Sequence, residues 1–263
     1  MALAVVQHKF GSTNANQNTV AVTVTSTGGG NLLVAGTYNN GTMTVSGVSD
    51  GTNNFTQFAG AQIANSNRIA DCWYLSISTS GKTTITATFS VTNTSRKIAW
   101  VWEVSGFSVP TTDGVAGTTG TAQNPTGASL TTKAVSGFLA AVCGYANTIS
   151  TNPAAGNEFT SGGDIADGNG GCSLISSSAT AHQPAWSGDQ SSAFTTFTAA
   201  FKEAIPPLVR VPFPSGLTPL LAMKHNLFEP PLSRRGRKLR RMWREELLKL
   251  ENDHAHRQAR RAA

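Results

Sequence analysis

Few residues in this chain are of a type and spacing that could do chemistry. The first 205 residues hold two histidines, His8 and His182, and neither has a cysteine or a carboxylate beside it in sequence. Gly-x-Ser-x-Gly, His-Glu-x-x-His and P-loop patterns are absent. No activated serine, zinc hydrolase centre or phosphate cradle is therefore signalled. Glycoside hydrolysis needs two carboxylates placed across one bond, yet only nine acids precede residue 206 and most stand in turn-like segments. Glu103 is the exception. It sits in Lys97-Ile-Ala-Trp-Val-Trp-Glu-Val-Ser105, where alternation sets it opposite Trp100 and Trp102 and predicts exposure to solvent. No catalytic residue is assigned.

Metal binding is no better supported. Cys72, Cys143 and Cys172 are odd in number and widely spaced, so they make neither a zinc set nor a disulfide framework. Cys72 and Cys143 lie in apolar runs and are read as buried thiols. Asp164-Ile-Ala-Asp-Gly-Asn-Gly-Gly171 has a composition compatible with calcium but lacks the EF-hand spacing and its terminal Glu, so it reads as a polar loop. Asp50-Gly-Thr-Asn-Asn54 reads as turn chemistry. The expectation is no metal and no cofactor.

Two features could recognise a partner. Trp73, Tyr74, Trp100 and Trp102 fall in strand patterns and are assigned to the core, whereas Trp186, in His182-Gln-Pro-Ala-Trp-Ser-Gly188, is expected on an exposed loop as a possible glycan contact. The second feature runs from Ser233 towards Arg261. Leu239, Met242, Trp243, Leu247 and Leu250 recur at helical spacing, and Arg237, Arg240, Arg241 and Arg244 lie mostly off that stripe. The spacing predicts an amphipathic helix with a basic face. Its apolar stripe needs a cover, so docking on protein is preferred over contact with phosphates.

The elements that must position these residues are strands. Charged residues make up only 13% of the chain, against about 25% in ordinary domains, and 26 glycines join many Thr, Ser and Asn. Such residues are weak helix formers. Thr19–Thr25 and Thr83–Phe89 alternate; Asn31–Tyr38 reads as a central strand, and Thr42–Val48 follows a turn. Ile69–Ile77 is expected to pair with Lys82–Phe89 through Ser78-Thr-Ser-Gly81. Lys97–Ser105, Ala128–Thr132, Gly137–Tyr145 and Ala193–Phe201 complete the clear strands, while residues 146–171 read as long loops. Ten to twelve short strands without an internal repeat predict an all-β sandwich or jelly roll over 1–205.

The charge is divided unevenly. Residues 1–205 carry 7 Lys and Arg against 9 Asp and Glu, a net −2; residues 206–263 carry 13 against 5, a net +8. Seven of the 11 prolines stand in 206–233, interleaved with Leu, Val and Phe. That stretch is predicted to be an extended arm, and 234–263 the basic helix. The first ten residues lack the basic start and apolar length of a signal peptide, and no run approaches a membrane span.

Residues 1 to about 203 resemble a loosely defined family of β-sandwich domains found in bacteriophage genomes and bacterial surface proteins. The residues that carry the likeness are Gly30-Asn-Leu-Leu-Val-Ala-Gly36, Val45-Ser-Gly-Val-Ser-Asp-Gly-Thr-Asn-Asn-Phe-Thr56, Cys72-Trp-Tyr74, Thr83-Thr-Ile-Thr-Ala-Thr-Phe89, Trp102-Glu-Val-Ser-Gly106 and Phe197-Thr-Ala-Ala-Phe-Lys202. The resemblance implies a jelly-roll-like domain for display, adhesion or decoration, and it brings no catalytic residues. The expectation that follows is a non-enzymatic virion structural protein, such as a head decoration or fibre-like protein held by its C-terminal arm and helix. Its partners would be other virion proteins and copies of itself, by analogy as a trimer, with no membrane. A carbohydrate-binding receptor module is the alternative, and a nucleic-acid contact the third reading.

Overall fold

The computed structural model describes residues 2–65, 67–134, 136–166 and 168–204, with only the backbone of 162–166. The predicted arm over 206–233 and helix over 234–263, with all nine of the helix residues named above, lie outside the described residues. So do the side chains of Asp164 and Asp167.

The described residues are all-β. In the first half run β1 (Ala4–Thr13), β2 (Gln17–Thr23), β3 (Leu32–Asn39), β4 (Val45–Ser49), β5 (Thr56–Gln57), β6 (Ile63–Asn65), β7 (Arg68–Leu75), β8 (Thr84–Asn93) and β9 (Lys97–Ser105). The second half has β10 (Pro110–Ala122), β11 (Leu130–Thr131), β12 (Gly137–Tyr145), β13 (Ile149–Thr151), β14 (Thr160–Ala166), β15 (Asn169–Ser176), β16 (Ala181–His182), β17 (Ser187–Gly188) and β18 (Ser192–Glu203). One sheet has the order β1-β9-β3-β7-β5, with β6 also on β7; a second has β10-β18-β12-β15-β14; a third has β2-β8-β4. Two short ladders, β11-β16 and β13-β17, complete the pairing.

Alternation explains the stacking. In β3 and β9, Leu32, Val34, Tyr38, Ile98, Trp100, Trp102 and Val104 turn one way and pack on Phe138, Ala140, Val142, Phe197, Ala199 and Phe201 of the second sheet. Leu33, Ala35, Ala99 and Val101 turn the other way, onto Val20, Val22, Val45, Ile85, Ala87 and Phe89 of the third sheet. The first sheet is thus the middle layer, which is why every residue of β3 is buried and Leu32–Gly36 is an unbroken apolar run rather than an alternation. Each fully buried aliphatic side chain contributes about 2 kcal/mol. Two glycines set how closely the layers approach. A Cβ on Gly36 would lie 2.7 Å from Val142, and one on Gly144 would enter the Tyr38 ring. These contacts also run β3 and β12 in the same direction across the interface.

Two expectations are corrected. Ile69–Ile77 and Lys82–Phe89 form no hairpin, because β7 pairs with β3, β5 and β6, whereas β8 belongs to the third sheet. The connection between them bonds instead to residues 24–31: Ser78 N donates to Asn31 O at 2.8 Å and Gly81 N to Thr27 O at 2.9 Å. Those bonds carry the chain from one layer to the next. Residues 146–171 are not simply loops, since they hold β13, β14 and the start of β15, with β14 and β15 paired antiparallel.

Candidate functional site

Trp186 is not on an exposed loop. Its exposure is 0%, and its indole sits under the outer face of the second sheet with Tyr145, Ile149, Phe159 and Phe194. The indole Nε1 donates to Asn152 Oδ1 at 2.8 Å, and Asn152 Nδ2 donates to Gly171 O at 2.8 Å. A Trp that must seal a sheet face and place its N–H needs such a fixed acceptor. The local polar context suggested a surface loop, but the apolar surface above β12 and β18 required a cover. Trp73, Trp100 and Trp102 are buried as expected, so none of the described tryptophans presents a sugar platform.

Glu103 corrects a second expectation. It does face away from Trp100 and Trp102, yet it is 0% exposed. Gln7 Nε2 donates to its Oε2 at 2.5 Å, while Gly28 N and Asn31 Nδ2 donate to its Oε1 at 2.7 and 2.6 Å. Gln7 also spans to Thr25, accepting from its N–H and donating to its carbonyl, both at 2.8 Å. The carboxylate therefore pins β1 and the 25–31 segment to β9. Three donors on one buried carboxylate make a structural anchor, with no room for a substrate.

Other buried polar groups are resolved locally. Asp71 accepts from Gln57, Cys72 N and Trp73 Nε1, but burial outweighs these bonds and raises its carboxyl to about 6. His8 stacks on Trp102 with ring centroids 4.7 Å apart, and burial, then the neighbouring Lys9 charge, lowers it to about 3. Lys97 is lowered by burial and donates to Asn93 O, Asn93 Oδ1 and Ser95 O. Asp113 meets Lys202 Nζ at 2.7 Å; desolvation pushes its carboxyl up, but Lys202 and backbone donors hold it below the usual carboxylate range. Asp50 caps its own turn through Thr52 N and Asn53 N, as the sequence predicts. Cys72, Cys143 and Cys172 are free, buried thiols raised by burial, far from the reactive thiolate state.

Folding also assembles a group that no sequence motif announced. Ser176 Oγ lies 2.9 Å from His182 Nε2, and His182 Nδ1 lies 2.9 Å from Glu158 Oε2. The order of groups matches a serine–histidine–acid relay. Its setting does not. Ser176 is only 3% exposed, and its hydroxyl donates to Ser178 O at 2.8 Å while accepting from Ser178 N. A nucleophile needs a free approach and a free proton path to its base. This one closes the turn between β15 and β16, and Glu158 ties a third segment to them. Its members are 6 and 24 residues apart in sequence, at no recognised spacing, so only their convergence in space could reveal the group. Among the described residues, no cluster of three or more His, Cys, Asp or Glu could hold a metal, and no helix is long and apolar enough to cross a membrane.

One end of the stacked sheets stands apart. The register puts Leu32 opposite Val104, Ala4 opposite Ser105, Leu33 opposite Leu75, Phe138 opposite both Phe201 and Ile175, and Pro110 opposite Glu203. With β3 and β12 running in the same direction, all these pairs lie at one end. Val5, Val6, Ile77, Val109 and Ile175 are there, and they are five of the six large apolar side chains exposed among the described residues. The chain leaves the sheets at the same end, where Ala204 N donates to Val109 O at 2.7 Å.

No protein-family model and no curated protein matches the chain. Among solved structures, the major capsid protein P2 from bacteriophage PM2 aligns over 76% of this chain and 99% of its own at 8% identity, with a TM-score of 0.26, a similarity too low to carry an argument about fold or role.

Proposed function

We propose that the protein is a non-enzymatic structural component of a bacteriophage virion, a head decoration or fibre-like protein. Its β domain projects, and residues 206–263 attach it to capsid or neighbouring subunits. The observation that carries this reading is the gathering of exposed aliphatic side chains at the one end of the sheets from which the chain continues into its +8 segment. Exposed apolar groups set in a polar rim mark contact surfaces, and in sequence the chain runs on from this end into 206–263, where Trp243 and the arginines are suited to docking. The rest of the β domain is poor in charge and rich in Thr, Ser and Asn, and among its described residues the one Ser–His–acid group is closed off by its own turn. The resemblance to phage display domains points the same way.

Particles assembled with a chain ending at residue 204 test the attachment. The truncated protein is expected to be folded and soluble and to be missing from purified particles. Incorporation at full copy number would overturn the role of 206–263. A serine-directed fluorophosphonate tests the absence of catalysis. Ser176 is expected to stay unlabelled in the native protein, and its modification would reopen the hydrolase reading.

A further inference from the structure

β10 is the longest strand of the fold, with 13 residues, and it is hydrogen-bonded along one side only, to β18, at the border of the second sheet. After the register shift at Thr112/Gly114, the strand runs unbroken to Ala122. Those nine residues, Gly-Val-Ala-Gly-Thr-Thr-Gly-Thr-Ala, contain no charge and no proline. The strand's single ionisable residue, Asp113, is turned inward against Lys202. The other border strands are shorter or guarded. β1 is unbroken only over Gln7–Thr13, carries an exposed Lys9 and is bulged at Val6; β2 is unbroken over Thr19–Thr23, and β4 over Gly47–Ser49. An open strand edge presents a row of N–H and C=O groups that template another strand, and proteins ordinarily block it with charge, proline or irregularity. Residues 114–122 have none of these devices.

We propose that the outer edge of β10 pairs antiparallel with β10 of a second copy, about a two-fold axis within residues 117–121. Three features favour a second copy as the partner. The edge is self-complementary, because small uncharged side chains would face the same small uncharged side chains, with no like charges opposed. A two-fold interface needs one patch that fits itself. Joining two five-stranded sheets makes one continuous sheet within the size that twisted open sheets reach. Alternation also leaves room for the pairing: Val115 packs on the first-sheet side and Ala116 and Ala122 on the outer cover, while Thr119 and Thr121 are exposed. This inference stands independently of the virion reading, since it concerns the free protein in solution.

The test is the molar mass of the full chain by light scattering at micromolar concentration. The wild-type protein is expected at twice the 27.5 kDa chain mass, and the double variant Thr119→Lys/Thr121→Lys at the single-chain mass, because four lysines then converge across the axis. Mixing it with Thr119→Glu/Thr121→Glu is expected to restore the doubled mass, which a folding defect would not do. A monomeric wild type, a dimer indifferent to the lysines, or failure of the mixed pair to reassociate would each overturn the proposal. Loss of the dimer would leave the attachment role of 206–263 standing, and failed particle incorporation would leave the dimer standing.

Discussion

The two halves of the described chain close their cores in different ways. The middle sheet of the first half is covered on its free side by another sheet, so Leu33, Ala35, Ala99 and Val101 meet the aliphatic face of β2, β8 and β4. The outer face of the second half has no sheet above it. Trp186, Phe159, Ile149 and Leu130, carried by loops and two short ladders, cover Leu139, Ala141, Cys143 and Ala200. Polar pairs hold that cover down: Trp186 to Asn152, and Ser176 to His182 to Glu158. A sheet satisfies its own backbone, whereas a loop cover must find side-chain partners for each buried polar group. The first half is therefore closed mainly by area, and the second partly by a few specific bonds.

The largest expected effect compares one buried side chain from each region. Leu33→Ala, between two sheets, is expected to destabilise the protein by about 3–5 kcal/mol in a single cooperative transition. Trp186→Ala is expected to act locally. Amide exchange should speed up in β13 and β17, while β3 and β9 keep their protection. Equal loss of protection across both halves would show that the cover is as integral as the sheets.

A smaller effect separates the two buried polar clusters. Glu103→Ala leaves three donors without their acceptor and is expected to cost about 2–3 kcal/mol by denaturant titration. Glu158→Gln, whose side chain is 44% exposed, is expected to cost under about 1 kcal/mol. Reversed magnitudes would mean that the second half depends on its polar clamp more than the first does on its carboxylate.

The last effect is the pH dependence that His8 contributes in the first half. His8 is held neutral down to about 3 in the fold but titrates at 6.5 when unfolded. Protons then bind the unfolded chain preferentially between those values. The stability His8 permits is complete above pH 6.5 and is lost as pH falls towards 3. His8→Phe keeps a ring over Trp102 and removes that slope. Between pH 7.5 and 5 the variant is expected to lose about 1–2 kcal/mol less than wild type. Identical slopes would show that His8 is protonated in place.

Legibility divided along another line, between interior and edge strands. β9 and β12 have the bounds read from sequence, because a strand buried on both faces is an apolar run that few other structures need. β1 and β10 carried no such mark. Their Thr, Gly and polar residues suit an edge, and an edge strand is recognised only by what it pairs with. The turn at Asp50 was readable because an Asx turn is made within four residues. The Ser176–His182–Glu158 group was not, because its parts come from separate segments.

By itself, the amino-acid sequence determined the all-β class, the burial of Cys72, Cys143 and the strand tryptophans, and the break in charge near residue 205. Those properties follow from composition and short-range alternation, which are local. Only the tertiary structure decided what lies over each face. The alternation of β9 correctly turned Glu103 away from Trp100 and Trp102, but period-2 patterning names a side and not its cover. Gln7, Gly28 and Asn31, from 72 to 96 residues away, made that side an interior. The same reason put Trp186 inside: the surface it seals is built from β12 and β18, and no local pattern could show that it needed a lid.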